Sequence, residues 1–193
     1  MSDRIKAGLA DGLDAALARH GLVIGLAGWS GSGKTTLAER LIATLTARGL
    51  DIASIKHAHH RFDADTPGKD SHRHRTAGSR QVIVSSDIRS VLFTENRDNG
   101  EARLEDLLDR LAPADIVLIE GYKREPIAKI EVFRPDIGKP ALFPEDDRII
   151  AVATADPSAL PATSLPLFDP DDIDALTIFV CKLAGRDDLA AAS

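Results

Sequence analysis

Two short runs of the chain contain nothing but apolar residues and one glycine: Leu22-Val23-Ile24-Gly25-Leu26-Ala27 and Ile116-Val117-Leu118-Ile119. Such runs, lacking any polar alternation, are expected of strands buried on both faces of a sheet. Around them the apolar spacing becomes helical. Ile5, Leu9, Leu13, Ala16 and Leu17 form one stripe of an amphipathic helix over residues 3–19, ended by Gly21. Leu37, Leu41, Ile42 and Leu45 form another, starting near Lys34 and stopping at Gly49. Leu104, Leu107, Leu108 and Leu111 place a helix over residues 101–111, and a closing helix spans 171–183, with the tail after Gly185 expected to fray. Further strands are expected over 51–55, 129–133 and 149–154, with a strand pair at 81–85 and 90–94 joined by a turn at Ser86-Asp87. Residues 56–75 fit neither period and read as a long polar loop with a short helix near 71–77.

Strands alternating with helices imply βαβ units, so the fold class is α/β, a mostly parallel sheet with helices on both faces. Residues 22–184 read as one domain, preceded by a helical extension over 1–21 and followed by a flexible tail over 185–193. No internal repeat, linker or low-complexity segment is visible.

Composition narrows the function classes. With 193 residues, 44% apolar and 28% charged, the chain is an ordinary globular length and composition, and at 4% aromatic its core must be aliphatic. The net charge of −6 argues against general nucleic-acid binding, although a local pocket can still be positive. Cys181 stands alone, so neither an internal disulfide nor a cysteine-rich metal site is expected. No apolar run approaches the roughly 20 residues needed to span a bilayer, and residues 1–20 lack a signal-peptide pattern, so the cytoplasm is the expected location and no membrane partner is expected.

The chemistry concentrates between Gly28 and Thr36. Gly28-Trp29-Ser30-Gly31-Ser32-Gly33-Lys34-Thr35 satisfies every fixed position of the phosphate-loop pattern, and Thr36 follows it into the helix. Glycines permit turns that aim successive N–H groups at anionic oxygens, and the following helix offers its positive end to the same oxygens. Lys34 would bridge the outer phosphates of a nucleoside triphosphate, and the Thr35 hydroxyl would ligate magnesium. A buried strand before the loop and an amphipathic helix after it supply the context such a motif needs, so the α/β domain over 22–184 reads as a P-loop NTPase-like nucleotide-binding domain.

Magnesium also needs a carboxylate near the loop, and two compete. Glu120 ends an apolar strand and precedes Gly121, which suits the second acidic site. Asp65-Thr66-Pro67-Gly68 looks like the switch motif of GTPases, but no buried strand precedes it. Asp65 therefore reads either as a mobile-loop residue that reaches the site or as a loop-capping carboxylate. Lys34 and Asp65 are the residues assigned to the phosphoryl chemistry, and Thr35, Glu120 and Asp65 those assigned to the metal.

Lys56, His57, His59, His60, Lys69, His72, Arg73, His74 and Arg75 crowd one loop. They suit a transition-metal site, a basic wall for an anion, or a solvated surface. Lys123 lies just past a strand end, where α/β sheets bind ligands. Lys129, Glu131 and Arg134 read as the polar face of a strand. Asp156 follows a strand where guanine-binding proteins place an Asp, but the Asn-Lys-x-Asp motif is absent. Trp29 is expected to pack on the domain or a partner, and His20 reads as an ordinary helix end.

The segments Lys56-His57-Ala58-His59-His60, Asp65-Thr66-Pro67-Gly68-Lys69-Asp70-Ser71, Arg75-Thr76-Ala77-Gly78 and Glu120-Gly121-Tyr122-Lys123, following the phosphate loop in that order, resemble the MobB family. These are GTP-binding adaptor proteins of molybdopterin-guanine dinucleotide synthesis in molybdenum cofactor biosynthesis. The resemblance spans about residues 22–180. It implies a dimeric protein that binds GTP and Mg2+, with slow GTPase activity at most. It also implies a partner, the separate molybdopterin guanylyltransferase (MobA-type) that attaches GMP to molybdopterin, served by GTP delivery or by docking beside its active site. Two other readings of the residues stay open. One is a small-molecule kinase in which Asp65 or Asp70 positions an acceptor hydroxyl; the other is a metal-insertion GTPase that uses the histidine loop over 57–74.

Overall fold

The computed structural model describes residues 12–58 and 62–190, and in it both all-apolar runs become central strands. The elements, in chain order, are a helix described over residues 12–17 (α1), β1 (Leu22–Ala27), α2 (Lys34–Ala47), β2 (Ile52–Lys56), α3 (Asp70–Thr76), β3 (Gln81–Ser85), β4 (Ser90–Thr94), α4 (Leu104–Leu108), β5 (Ile116–Glu120), β6 (Lys129–Val132), β7 (Ile149–Ala153), β8 (Leu167–Phe168), α5 (Ile173–Leu183) and α6 (Asp187–Ala190). The part of the expected helical extension that lies before residue 12 is outside the described residues.

The region read as one nucleotide-binding domain divides into two compact units, one built from the chain up to His57 and from Leu104 onward, the other from Ala58 to Arg103. In the larger unit six strands form one sheet in the order β2-β5-β1-β6-β7-β8, every neighbouring pair parallel. The chain builds β2 and β5 on one side of β1, then crosses to β6 on the other. The end of β1 is therefore a topological switch point, the place where open parallel sheets bind ligands.

Alternation along the central strands explains why both runs are apolar throughout. Ile24 and Leu26 of β1 and Ile116 and Leu118 of β5 pack with Leu37, Leu41 and Leu45 of α2 and Leu176 and Val180 of α5. Val23, Val117 and Ile119 point the other way, into a second cluster with Leu13 and Ala16 of α1 and Leu104 and Leu108 of α4. With helices on both faces, no position of β1, nor of β5 before its last residue Glu120, is left for a polar side chain.

Several elements differ from the sequence reading. The helix expected over 101–111 is regular only at Leu104–Leu108; past it, Arg110 and Leu111 donate to Leu107 and Leu108 in tight three-residue turns. The closing helix starts two residues later than expected, at Ile173, because the Asp172 carboxylate accepts from the Ala175 N–H at 3.1 Å and caps it. Within the tail expected to be flexible over 185–193, Asp187–Ala190 form α6, whose Leu189 carbonyl accepts from Arg48 at 3.0 Å, and residues 191–193 lie outside the described residues. The two-residue strand β8 is too short to leave a periodicity.

The largest departure is β6. Lys129 and Glu131, read as an exposed polar face, are 1% and 0% exposed. Lys129 Nζ donates to the Glu125 carbonyl at 2.8 Å and pairs with Asp146 at 2.9 Å. The Glu131 carboxylate accepts from the N–H groups of Leu142 and Phe143 at 2.7 and 2.9 Å. Both side chains tie the segment over 135–146 back onto the sheet.

The smaller unit contains α3 and the antiparallel hairpin β3–β4, with Gln81 opposite Thr94 and Ser85 opposite Ser90 as expected. Its charged residues are organised by Arg75, which pairs with Asp63, Asp65 and Glu95 at 2.7–2.9 Å. Ile83, Val84, Ile88, Val91 and Leu92 of the hairpin are exposed, Ile83 at 69%. Among the described residues, no helix is long and apolar enough to cross a membrane.

Candidate functional site

β1 delivers the chain at Ala27 into the glycine-rich loop, and α2 starts at Lys34. Gly28, Gly31 and Gly33 all hold positive φ, 144°, 83° and 96°. Gly28 is required twice over, because a Cβ there would lie 2.5 Å from the Val132 carbonyl oxygen. Inside the loop the buried Ser32 hydroxyl has no hydrogen-bond partner among the described residues. The Lys34 ammonium folds back over the loop, donating to the carbonyls of Gly28 and Trp29 at 2.9 and 2.8 Å. Burial lowers the Lys34 pKa; the Glu120 charge opposes this, while Lys123 and Lys56 add to it.

Parallel pairing brings the carboxylate to this loop. In the sheet register Glu120 sits opposite Leu26 of β1 on one side and opposite Lys56 of β2 on the other. The Thr35 hydroxyl donates to Glu120 Oε1 at 2.6 Å. Lys56 Nζ donates to Glu120 Oε2 at 2.9 Å and to Thr35 Oγ1 at 3.0 Å, closing a triangle. Burial pushes the Glu120 carboxyl upward in pKa, but the Thr35 hydrogen bond and the Lys56 ammonium outweigh it and hold the group below its usual value. Past Glu120, Gly121 has φ 97° and approaches β2 so closely that a Cβ would lie 2.6 Å from the Cβ of His57. Tyr122, itself at positive φ, lies against the His57 ring with centroids 4.9 Å apart.

Trp29 packs on its own domain, one of the two expected outcomes. Its indole N–H donates to the Pro140 carbonyl at 2.8 Å, and Lys123 and Lys139 place their ammonium groups 4.3 and 5.8 Å from the ring centroid. Lys34, Lys56, Lys123 and Lys139 thus gather around one loop of a chain whose net charge is −6.

The residues fit the groups expected here. A loop of positive-φ glycines, an unpartnered buried hydroxyl and an adjacent ammonium suit phosphate oxygens. A hydroxyl and a carboxylate 2.6 Å apart, those of Thr35 and Glu120, are hard oxygen donors of the kind that could hold magnesium.

Glu120, Thr35 and Lys34 are therefore brought together within the larger unit; the other residue assigned from the sequence is Asp65. It belongs to the smaller unit, where its side chain is 4% exposed and accepts from Arg75 at 2.9 Å, Ser71 at 2.8 Å and the Thr66 N–H at 2.9 Å. Burial raises the Asp65 pKa, yet these hydrogen bonds, Ser71 first, leave it lowered. Those contacts are the loop-capping alternative. Asp156 also caps, accepting from the Ser158 N–H and hydroxyl at 3.1 and 2.6 Å. His59 and His60 lie outside the described residues, and among the described ones no group of three His, Cys, Asp or Glu residues could hold a metal ion. His20 is more than a helix end: it is buried, with neither ring nitrogen partnered among the described residues.

The sequence reading put Lys56 in the polar loop, whereas it is the last residue of β2. Its position at the end of an apolar-bearing strand was the available signal; its place level with Glu120 comes from the sheet register alone. Lys139 and Pro140 carried none, since only the return of a distant segment brings them to Trp29.

Known proteins resemble this chain over most of its length. Residues 23–155 match the family model described as Molybdopterin guanine dinucleotide synthesis protein B, MobB. The chain is 44% identical over 163 residues to the molybdopterin-guanine dinucleotide biosynthesis adapter protein of Escherichia coli K12, covering 83% of this chain and 91% of that one. It is 44% identical over 147 residues to the Haemophilus influenzae protein of the same description, covering 75% and 81%. The crystal structure of Bacillus subtilis MobB superposes with a TM-score of 0.63 at 27% identity, covering 83% of this chain and 96% of that one. A match over most of the chain, relatives at 44% identity and a shared fold lead to one conclusion: this chain belongs to the MobB family.

Proposed function

We propose that this protein acts as an adapter in molybdopterin guanine dinucleotide synthesis by binding GTP with Mg2+ in the loop from Gly28 to Thr36. Membership of the family gives the pathway. The observation that supports the nucleotide is the contact of the Thr35 hydroxyl with Glu120 at 2.6 Å, directly behind a glycine-rich loop crossed by Lys34. Backbone N–H groups of the loop and the start of α2 would take the phosphates, and Lys34 would exchange its two carbonyl acceptors for phosphate oxygens. Thr35 and Glu120 would hold Mg2+, which supplies charge neutralisation between the outer phosphates. GTP is put ahead of ATP because the relatives are named for a guanine dinucleotide.

Hydrolysis is proposed to be slow. The oxygens of Asp65, the residue assigned to catalysis from the sequence, are already held by Arg75, Ser71 and Thr66. Phosphoryl transfer needs an oriented nucleophile and compensating charge, and a carboxylate committed in this way orients neither. The partner is the guanylyltransferase that consumes GTP and molybdopterin, and a homodimer is supported by the exposed apolar residues of the β3–β4 hairpin.

The testing experiment is a titration of GTP and of ATP, each with Mg2+, with and without the guanylyltransferase from the same cell. Preferential GTP binding and a complex with the enzyme are expected. Equal binding of both nucleotides and no complex would overturn the adapter reading.

A further inference from the structure

We infer that Lys56 is an internal counter-ion of the metal site, holding Thr35 and Glu120 in place and giving way when Mg2+ binds. The inference rests on the nucleotide reading above and goes beyond it by assigning a competing cation to the metal's own two donors. The ammonium of Lys56 donates to Thr35 Oγ1 and Glu120 Oε2, the oxygens that the metal would take. Mg2+ binds oxygen at roughly 2.1 Å, so with the ammonium still 3.0 Å from Thr35 Oγ1 two cations would crowd one hydroxyl lone-pair region. Like charges at that range exclude one another. Ammonium and metal therefore alternate.

The two partners are built unequally for such an exchange. Glu120 is 16% exposed and fixed in mid-sheet between β1 and β2, whereas the Lys56 side chain is 58% exposed. A long, solvated chain can swing away while the carboxylate stays. Without that ammonium Glu120 would keep only the Thr35 hydroxyl contact; with Lys56 in place one carboxylate oxygen is held by the ammonium and the other stays aimed at Thr35. Lys56 thus preorganises the site and, by the same contacts, raises the Mg2+ concentration needed to fill it.

The test uses the full chain with GTP held constant while Mg2+ is titrated. Trp29, the single tryptophan and a member of the phosphate loop, supplies the fluorescence signal. Mn2+ in place of Mg2+, with free Mn2+ followed by electron paramagnetic resonance, supplies a second readout that needs no turnover. Lys56→Gln should lower the half-saturating metal concentration about tenfold, the weight of one charge-assisted contact. Lys56→Arg, which keeps a cation at the end of a long side chain, should stay within about threefold of wild type. A Lys56→Gln midpoint that is unmoved or higher overturns the inference. If GTP with Mg2+ binds wild type but not Lys34→Ala while the Lys56→Gln midpoint is unmoved, the counter-ion role alone fails. If wild type binds GTP neither with nor without the metal, the nucleotide reading fails and takes this inference with it.

Discussion

At the scale of single residues, the proposed chemistry lies in three side chains from two elements: Lys34 at the start of α2, Thr35 beside it and Glu120 at the end of β5. Lys34 was legible because the phosphate-loop pattern is local. Glu120 was legible because it is a lone acid ending a buried run. Lys34→Ala should weaken GTP binding about 10- to 100-fold, the cost of removing a charge-assisted hydrogen-bonding group, while the melting curve keeps its cooperativity. Glu120 carries a pH signature. Its folded pKa lies below its usual value, so its contribution is present above the ordinary glutamate range and is lost as pH falls through the lowered folded value. The urea midpoint of wild type relative to Glu120→Gln should therefore shrink once pH drops below about 4. Lys56 was the residue most easily misread. As a charge beside histidines it looked like loop chemistry, and only strand register reveals that it faces Glu120.

At the scale of elements, period and burial made β1, α2, β5 and the β3–β4 hairpin readable, and β6 broke the rule. A Lys-x-Glu alternation is ordinary on a strand with one wet face. Here the segment over 135–146 covers that face and supplies the partners, two N–H groups for Glu131 and Asp146 for Lys129. The pairing spans more than ten residues of irregular chain, beyond the reach of any spacing rule. Glu131→Gln keeps one acceptor and turns an NH2 toward the other N–H, so it should cost about 1–3 kcal/mol in a urea melt. Lys129→Met should cost less than the roughly 3–5 kcal/mol of a fully buried pair, because Asp146 retains some solvent. Since that segment also presents Pro140 to Trp29, Lys129→Met should shift the tryptophan emission, and an unchanged spectrum would uncouple the two. In the smaller unit, Ile83 and Leu92 face each other across the hairpin, both exposed. Ile83→Asp together with Leu92→Asp should convert a homodimer to monomers by light scattering, and a dimer that persists would place its interface elsewhere.

At the scale of the whole molecule, the sheet order β2-β5-β1-β6-β7-β8 puts the phosphate loop at the switch point and two aliphatic clusters beneath it. The fold class followed from βαβ alternation, but the division into two units did not, since no linker marks it. The same order has a consequence for how the chain is made. β1 and β2 are close in sequence yet never touch, because β5 fills the slot between them: Leu22 pairs with Ile116, and Ile52 pairs with the same residue. On the ribosome, the first strands to emerge have no sheet to join until the middle of the message has been read, whereas the hairpin from Gln81 to Thr94 closes locally. A nascent chain stalled at residue 112 should be digested throughout residues 22–56, and one released beyond Val132 should resist. The phosphate loop is synthesised well before β5 and β6, the strands that flank β1, so its glycines stay open to proteases and chaperones until those strands arrive.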